Sequence, residues 1–309
     1  MDNDMTCIVT NQKQAAAVEA GTAFRYAYDR AKFWKAWIWG TAFVLAFVQM
    51  AVSVYIFCGN KAPFDPAYLT IGPLLTFLFI GTFGKYLVNK WQSRGCMLQR
   101  LHDYQTMDIG DKPSQLELPK SLVMELSTKR LKEAPGDREQ LETWWSSALK
   151  DVPYPVGKVI ATYSTFAWES ELRKRYQGLL VFLLVTCIAI PILVSLTLNY
   201  TILQSLAFVI GPFTPIIAVV LDEWILNRQS LKIAEQLTLG CYNSWDNILT
   251  GKLNIDEMHS ATEQHMRYWQ NFRQSATPIF EWLYKLSRTQ MERNMLVDTD
   301  ELISDFNKN

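Results

Sequence analysis

YQGLLVFLLVTCIAIPILVSLTLNYTILQSLAFVIGPFTPIIAVVL, residues 176–221, runs for 46 positions without an Asp, Glu, Lys, Arg or His. Wound as a helix at about 1.5 Å per residue it would reach roughly 70 Å, enough for two bilayer crossings. Near its middle, Asn199-Tyr200 is the only polar pair suited to a tight turn. The stretch therefore reads as a hairpin of two spans, 178–198 and 202–221, and a chain that carries such a hairpin works at a membrane.

Two further runs lie upstream. Residues 36–58 are uncharged between Lys35 and Lys61, and residues 68–84 are uncharged between Asp65 and Lys85. Whole-chain composition conceals them: 49% hydrophobic residues, mean hydropathy near zero and a formal net charge of +0 are what a soluble protein of 309 residues would show. The polar half of the chain dilutes the apolar half. The expected fold class is all-α, a polytopic membrane protein with four transmembrane helices in two hairpins, 36–88 and 177–221, plus a helical cytoplasmic domain. A leader helix at 1–35, an insert at 89–176 and a tail at 222–309 surround the hairpins, and the insert and tail are expected to fold together.

Lys and Arg near the spans set orientation. Arg25, Arg30, Lys32 and Lys35 precede the first span, and Lys85, Lys90 and Arg94 follow the second. Arg173, Lys174 and Arg175 precede the third, and Arg228 and Lys232 follow the fourth. The short loop at 59–67 balances Lys61 against Asp65, and the Asn199 turn is uncharged. Both loops should face outward and both termini inward. Trp34, Trp37, Trp39, Trp91 and Trp224 sit near span ends, where an indole either reaches the headgroups or simply packs. The first apolar run follows a polar leader of more than thirty residues and is long enough to span, so it reads as an anchor rather than a cleaved signal. Cys7, Cys58, Cys96, Cys187 and Cys241 form no CxxC, and neither a disulfide framework nor a zinc site is expected.

The insert reads as helices at 90–107, 121–132 and 137–149, with breaks at Lys112-Pro113, Pro119 and Pro135-Gly136, then a helix at 158–175 that enters the third span. In the tail, Leu231, Ala234, Leu237, Cys241, Trp245 and Ile248 recur at helical spacing to a stop at Gly251. Helices at 256–272 and from Pro278 through Arg293 complete the reading.

No ionisable residue falls within the four spans, which argues against a pump or ion-coupled transporter. Gln49, Thr186, Ser195, Thr197, Gln204 and Thr214 are polar enough to line a wet path or to bond between helices. Pro191, Pro212 and Pro215, with Thr214, interrupt the second hairpin and make either a deformable gate or a static kink. Asp222-Glu223 would pair with Lys85 or Lys90, sit at a pore mouth, or be solvated. His102, His259 and His265 are too scattered for a metal site. No GxSxG, HExxH, Walker loop or dinucleotide fingerprint is present, so no enzyme is expected.

Several motifs carry a resemblance. Met266-Arg267-x-x-Gln270-Asn271 is followed by Pro278-Ile279-Phe280-Glu281-Trp282-Leu283-Tyr284-Lys285, Arg288 and Glu292. Upstream stand Trp144-Trp145, then Trp168-x-x-x-Leu172-Arg173-Lys174-Arg175-Tyr176, and, more faintly, Gln99-x-x-x-Asp103. In order and topology these resemble the SMODS-associated four-transmembrane effectors of bacterial anti-phage defence. The chain departs from that pattern at Tyr163-Ser164-Thr165-Phe166, where the family often has an Arg and an Asn, which implies a different ligand or a different way of holding it.

The resemblance implies an effector in the bacterial inner membrane, multi-pass with both termini cytoplasmic, that a regulatory cyclic di- or trinucleotide controls. It would oligomerise with itself and permeabilise the bilayer in abortive infection, without a conventional cofactor and without DNA or RNA. A constitutive channel or transporter, or a membrane scaffold for a signalling partner, are the alternatives. A cyclic nucleotide calls for Arg at its phosphates and aromatics at its bases. Arg173, Lys174, Arg175 and Tyr176 combine those types, although the same charges set topology and attract anionic lipid. Arg267, Tyr268, Trp282, Tyr284 and Arg288 come next, and Trp144 and Trp168 serve as stacking platforms or as core.

Overall fold

The computed structural model describes residues 7–59 and 67–308, and among them every regular element is helical. After a single turn, α1 (Ile8–Asn11), the chain enters α2 (Ala15–Phe57), 43 residues without a break. It starts on three consecutive alanines and contains no proline, so nothing stops the helix at the lipid boundary. The expected leader and first apolar run are thus one rod. Likewise α3 (Ala67–Met107) joins the second apolar run to the first insert helix. Met1–Thr6 of the leader, and Lys61 and Asp65 of the first loop, lie outside the described residues.

The insert continues with α4 (Lys120–Glu133) and the six-residue α5 (Asp137–Glu142). The helix expected at 137–149 is split, because Thr143 leaves the helical region and Ser146 caps a separate 3₁₀ turn, Ser147–Asp151. Pro153 and Pro155 do not merely stop that turn. They open α6 (Tyr154–Thr197), with Pro153 at its N-cap and Pro155 in its first turn, where a missing N–H costs nothing.

The second hairpin turns at Asn199, whose φ of +52° is tolerated because a short polar side chain suits the left-handed region. Thr201 and Gln204 then form a reciprocal capping box on the short α7 (Ile202–Gln204). A π-helical segment follows at Ser205–Ile210, and α8 (Gly211–Leu249) leads out of the apolar run into the tail. A helix ending near Gly251 was expected; α8 ends at Leu249 and Gly251 takes φ +69°, which only glycine adopts freely. α9 (Ile255–Phe272) is capped by Asn254 and Glu257, and α10 (Glu281–Lys308) closes the chain. α10 begins three residues after Pro278 and outruns Arg293.

α2 packs along α3, α6 packs along α8, and α2 touches α8 to join the two pairs. α2 and α6 are, among the described residues, the two helices long and apolar enough to cross a membrane. Their outer faces are greasy: Trp37, Val44 and Val48 on α2 and Phe182, Val185, Leu193 and Leu196 on α6 are exposed, as are Leu75 and Phe79 on α3. An apolar exterior of that extent marks lipid contact rather than water.

Three cores form. One unites insert and tail through Met107, Trp145, Ile160, Phe166, Trp245, Met266 and Trp269. A second binds the helix pairs to the start of α10 through Trp39, Tyr176, Phe213, Ile279 and Leu283. The third joins α2, α3 and α4.

Candidate ligand-binding site

Between these cores lies a cavity of about 500 Å³, within the range of roughly 300–1,000 Å³ typical of small-molecule sites. Its walls come from distant parts of the chain. α2 supplies Arg25, Tyr28 and Lys32 at helical spacing, and α3 supplies Gln92, Gln99, His102 and Asp103. Arg130 of α4, Gln140 of α5 and the adjoining Trp144 form another side. α6 adds Ser164, Trp168 and Arg173, while Arg273, Thr277, Tyr284 and Arg288 come from the tail. The lining holds five arginines (Arg25, Arg130, Arg173, Arg273, Arg288) and two lysines (Lys32, Lys285) against five carboxylates (Asp29, Asp103, Asp137, Glu169, Glu281), so it carries a modest positive excess.

Aromatic rings build one wall. Trp144 and Trp168 lie 5.6 Å apart between centroids, and Trp168 and Tyr284 lie 6.2 Å apart. The Arg25 guanidinium sits 5.8 Å from the Trp144 ring and the Lys32 ammonium 5.7 Å from Tyr284. A surface of this kind suits a flat, electron-rich ring with an anionic group beside it.

The rest of the wall is pinned by buried polar contacts. Asp103 pairs with Arg273 at 2.8 Å and accepts a bond from Gln270 at 3.3 Å. Gln92 Nε2 donates to the carbonyls of Arg273 and Gln274, each at 3.1 Å, and to that of Ala276, tying the tail's turn to α3. The Tyr28 hydroxyl donates to Gln99 at 2.9 Å, and burial raises its pKa well above the usual value. His102 Nδ1 bonds the Ala17 carbonyl at 2.9 Å, and burial lowers its pKa, favouring the neutral ring. Gly21 admits this packing, since a Cβ there would lie 2.8 Å from Leu141 Cδ1.

Of the ligand candidates read from sequence, Trp144, Trp168, Arg173, Tyr284 and Arg288 line the cavity, while Tyr268 is exposed away from it. Arg173 is buried, pairs with Glu169 at 2.6 Å and donates to Asn227 at 3.2 Å. Its Nε has no partner among the described residues. Lys174, Arg175 and Tyr176 do not line the cavity, because successive helical residues point about 100° apart and the cluster fans out. Lys174 reaches Glu235 at 3.2 Å, and Arg175 reaches Glu171 at 2.9 Å and Gln290 at 3.0 Å. Arg267 stands on the outer side of α9 with Asp111 at 3.1 Å, and Trp282 is exposed, stacked on Phe280. Arg25, Lys32, Arg130 and Arg273 were missed as site residues. The spacing Gly21, Arg25, Tyr28, Lys32 on one helix face was the available signal.

Tyr176 belongs to a second constellation next to the cavity. Lys35 of α2 donates to Glu223 of α8, to the Pro278 carbonyl, to Tyr176 OH at 2.9 Å and to Thr277 at 3.2 Å. Tyr176 and Thr277 both donate to Glu223 as well. Asp222 is exposed and pairs with Lys85 at 3.2 Å, one of the partners expected for it. Glu223 is not on a solvated face; it is buried in this node. Thr277 and Pro278 also line the cavity, so one short segment touches both constellations.

In the apolar helices, Pro191 and Pro212 are buried, while Thr214 is exposed with its hydroxyl 3.5 Å from the Ile210 carbonyl. Pro212 and Pro215 follow directly on the π-helical segment, in which the Gly211 N–H reaches back to the Leu206 carbonyl.

The family described as the SMODS-associating 4TM effector domain matches residues 6–302 of the chain. No curated protein and no solved structure matches it.

Proposed function

Since this chain belongs to the SMODS-associating 4TM effector family, and is on that ground a membrane effector, we propose that a cyclic di- or trinucleotide in its cavity controls permeabilisation of the bacterial inner membrane. The observation that carries this reading is convergence. Trp144 with Trp145, Trp168 with Leu172 and Arg173, Gln99 with Asp103, and Tyr284 with Arg288 come from separate stretches and face one cavity. That cavity combines arginines with a ring wall, the two surfaces that a nucleotide's phosphates and bases require.

In this reading the four apolar runs all cross the bilayer and both termini face the cytoplasm. The ligand favours one arrangement of the cavity walls over another, since it can shift the protein only by binding two states with different affinity. The change passes through Thr277 and Pro278 to Lys35 and Glu223, hence to both helix pairs, and copies of the chain assemble and open. No catalytic step is called for. Ser164 and Thr165, in the stretch that departs from the family, lie on the cavity wall, so the choice of nucleotide is expected to differ from that of members with Arg and Asn there.

The test is leakage of dye and ions from liposomes containing the purified protein, with cyclic di- and trinucleotides applied from the side that the cavity faces. Leakage with one nucleotide is the expected result. Leakage without any would point to a constitutive channel. A sealed membrane around folded, nucleotide-binding protein would point to a scaffold.

A further inference from the structure

Two guanidinium groups from opposite ends of the chain converge on one neutral atom. Arg25 Nη1 of α2 and Arg288 Nη1 of α10 donate to Gln140 Oε1, at 3.1 and 2.9 Å. Each arginine also has a carboxylate: the same Arg25 Nη1 meets Asp137 at 3.1 Å, and Arg288 meets Glu292 through Nε. Yet the point where their donors cross is held by an amide oxygen, which carries only a partial charge. Both bonds already have an ionised donor, and a phosphate oxygen would add a full negative charge where the amide offers only a partial one. The Trp144 ring lies beside Arg25, and Trp168 and Tyr284 continue the same wall. The buried Nε of Arg173, on that cavity's lining, has no partner among the described residues and is a further donor.

We infer that the Arg25–Arg288 fork is the phosphate subsite of the cavity, and that Gln140 is its built-in placeholder, which a phosphate oxygen displaces. Its backbone need not move. Leu141 is buried against Gly21, and Asp137 is held by Arg25 and Arg130, so α5 stays anchored while the Gln140 side chain turns away. In the empty cavity Gln140 keeps α2 and α10 bridged. In the occupied one the ligand itself makes that bridge, with its ring on the Trp144 side. The inference rests on the cavity being the nucleotide site, and it adds that α5 competes for that site.

The experiment is calorimetric titration of the full chain in lipid nanodiscs with inorganic pyrophosphate, and with each nucleotide of the leakage panel. Three variants accompany the wild type. Gln140→Ala removes the acceptor the two arginines share, leaving Arg25 Nη1 with Asp137, and should bind pyrophosphate up to about tenfold more tightly, roughly the net worth of one hydrogen bond. Gln140→Glu places a permanent anion on the fork and should abolish pyrophosphate binding. The pair Arg25→Gln, Arg288→Gln should weaken it by about tenfold or more. Circular dichroism and thermal unfolding establish that each variant is folded. Pyrophosphate affinity that is equal across folded wild type, Gln140→Ala and Gln140→Glu overturns the inference. Nucleotide binding unchanged in Gln140→Glu would also overturn it while leaving the cavity as the nucleotide site. Pyrophosphate binding that follows the predicted order, with no nucleotide bound, would uphold the fork and sink the nucleotide reading.

Discussion

Lys35 shows how far a side chain's role can lie from what its neighbours suggest. By position it is the last charge before an apolar run and counts as a topology marker. In the fold it pairs with Glu223, 188 positions away, within a buried set of hydroxyl and carbonyl partners. Removing one member leaves the other charge stranded in a dry site, at a cost of about 3–5 kcal/mol, whereas replacing both with apolar groups costs far less. Lys35→Met is therefore expected to lower stability by that amount, and Lys35→Met with Glu223→Leu to recover most of it, measured by denaturant unfolding in detergent micelles. Losses that simply add would show that the two charges are not coupled. No local pattern announces such a pairing. The same holds for Gln140, a polar residue on a six-residue helix whose meaning depends on arginines from both flanks of the chain. Trp144, Trp168, Arg173 and Arg288 could be read as candidates because aromatics and arginine suit nucleotides, but which face of α6 the run from Arg173 to Tyr176 turned inward could not.

The helices were largely legible, because uncharged runs and helical spacing report on local chemistry. Their joins were not. Lys35 marks where residues 15–57 turn apolar, but nothing there shows that the helix runs through that point unbroken, since one backbone conformation serves on both sides. α10 starts late because residues 277–280 are held extended by Lys35, Glu223 and Gln92, a tertiary effect with no sequence signature. The π-helical turn at Ser205–Ile210 was also invisible, although the prolines that follow it were plain. These features belong together: a widened turn leaves backbone carbonyls less firmly engaged just where Pro212 and Pro215 supply no N–H. If this segment is where the second hairpin yields, the pair Pro212→Ala, Pro215→Ala should stiffen it and reduce nucleotide-dependent leakage while preserving the fold. Liposome leakage equal to wild type would assign the prolines to static packing instead.

On the scale of the entire chain, insert and tail share a core, as their interleaved order suggested, but the leader proved as important. α2 provides a full cavity wall, so the site is assembled from both ends of the sequence and could not have been outlined from any one segment. The orientation argued from Lys and Arg is open to direct chemistry. A membrane-impermeant maleimide on intact cells should modify Cys58 and an Asn199→Cys variant, and should reach Asn307→Cys only after permeabilisation. Modification of Asn307→Cys from outside would invert the assignment and put the cavity on the wrong side for a cytoplasmic signal. The unbroken course of α2 also has a mechanical meaning. Its buried hold at Lys35 divides it into arms of about 15 Å towards Arg25 and about 33 Å towards Phe57. A stiff rod pivoting there has a mechanical advantage below one: each ångström of travel at the cavity becomes about two at the far end, in the opposite direction and with half the force. Such gearing favours reach over strength, which suits parting weakly held apolar surfaces better than breaking strong bonds.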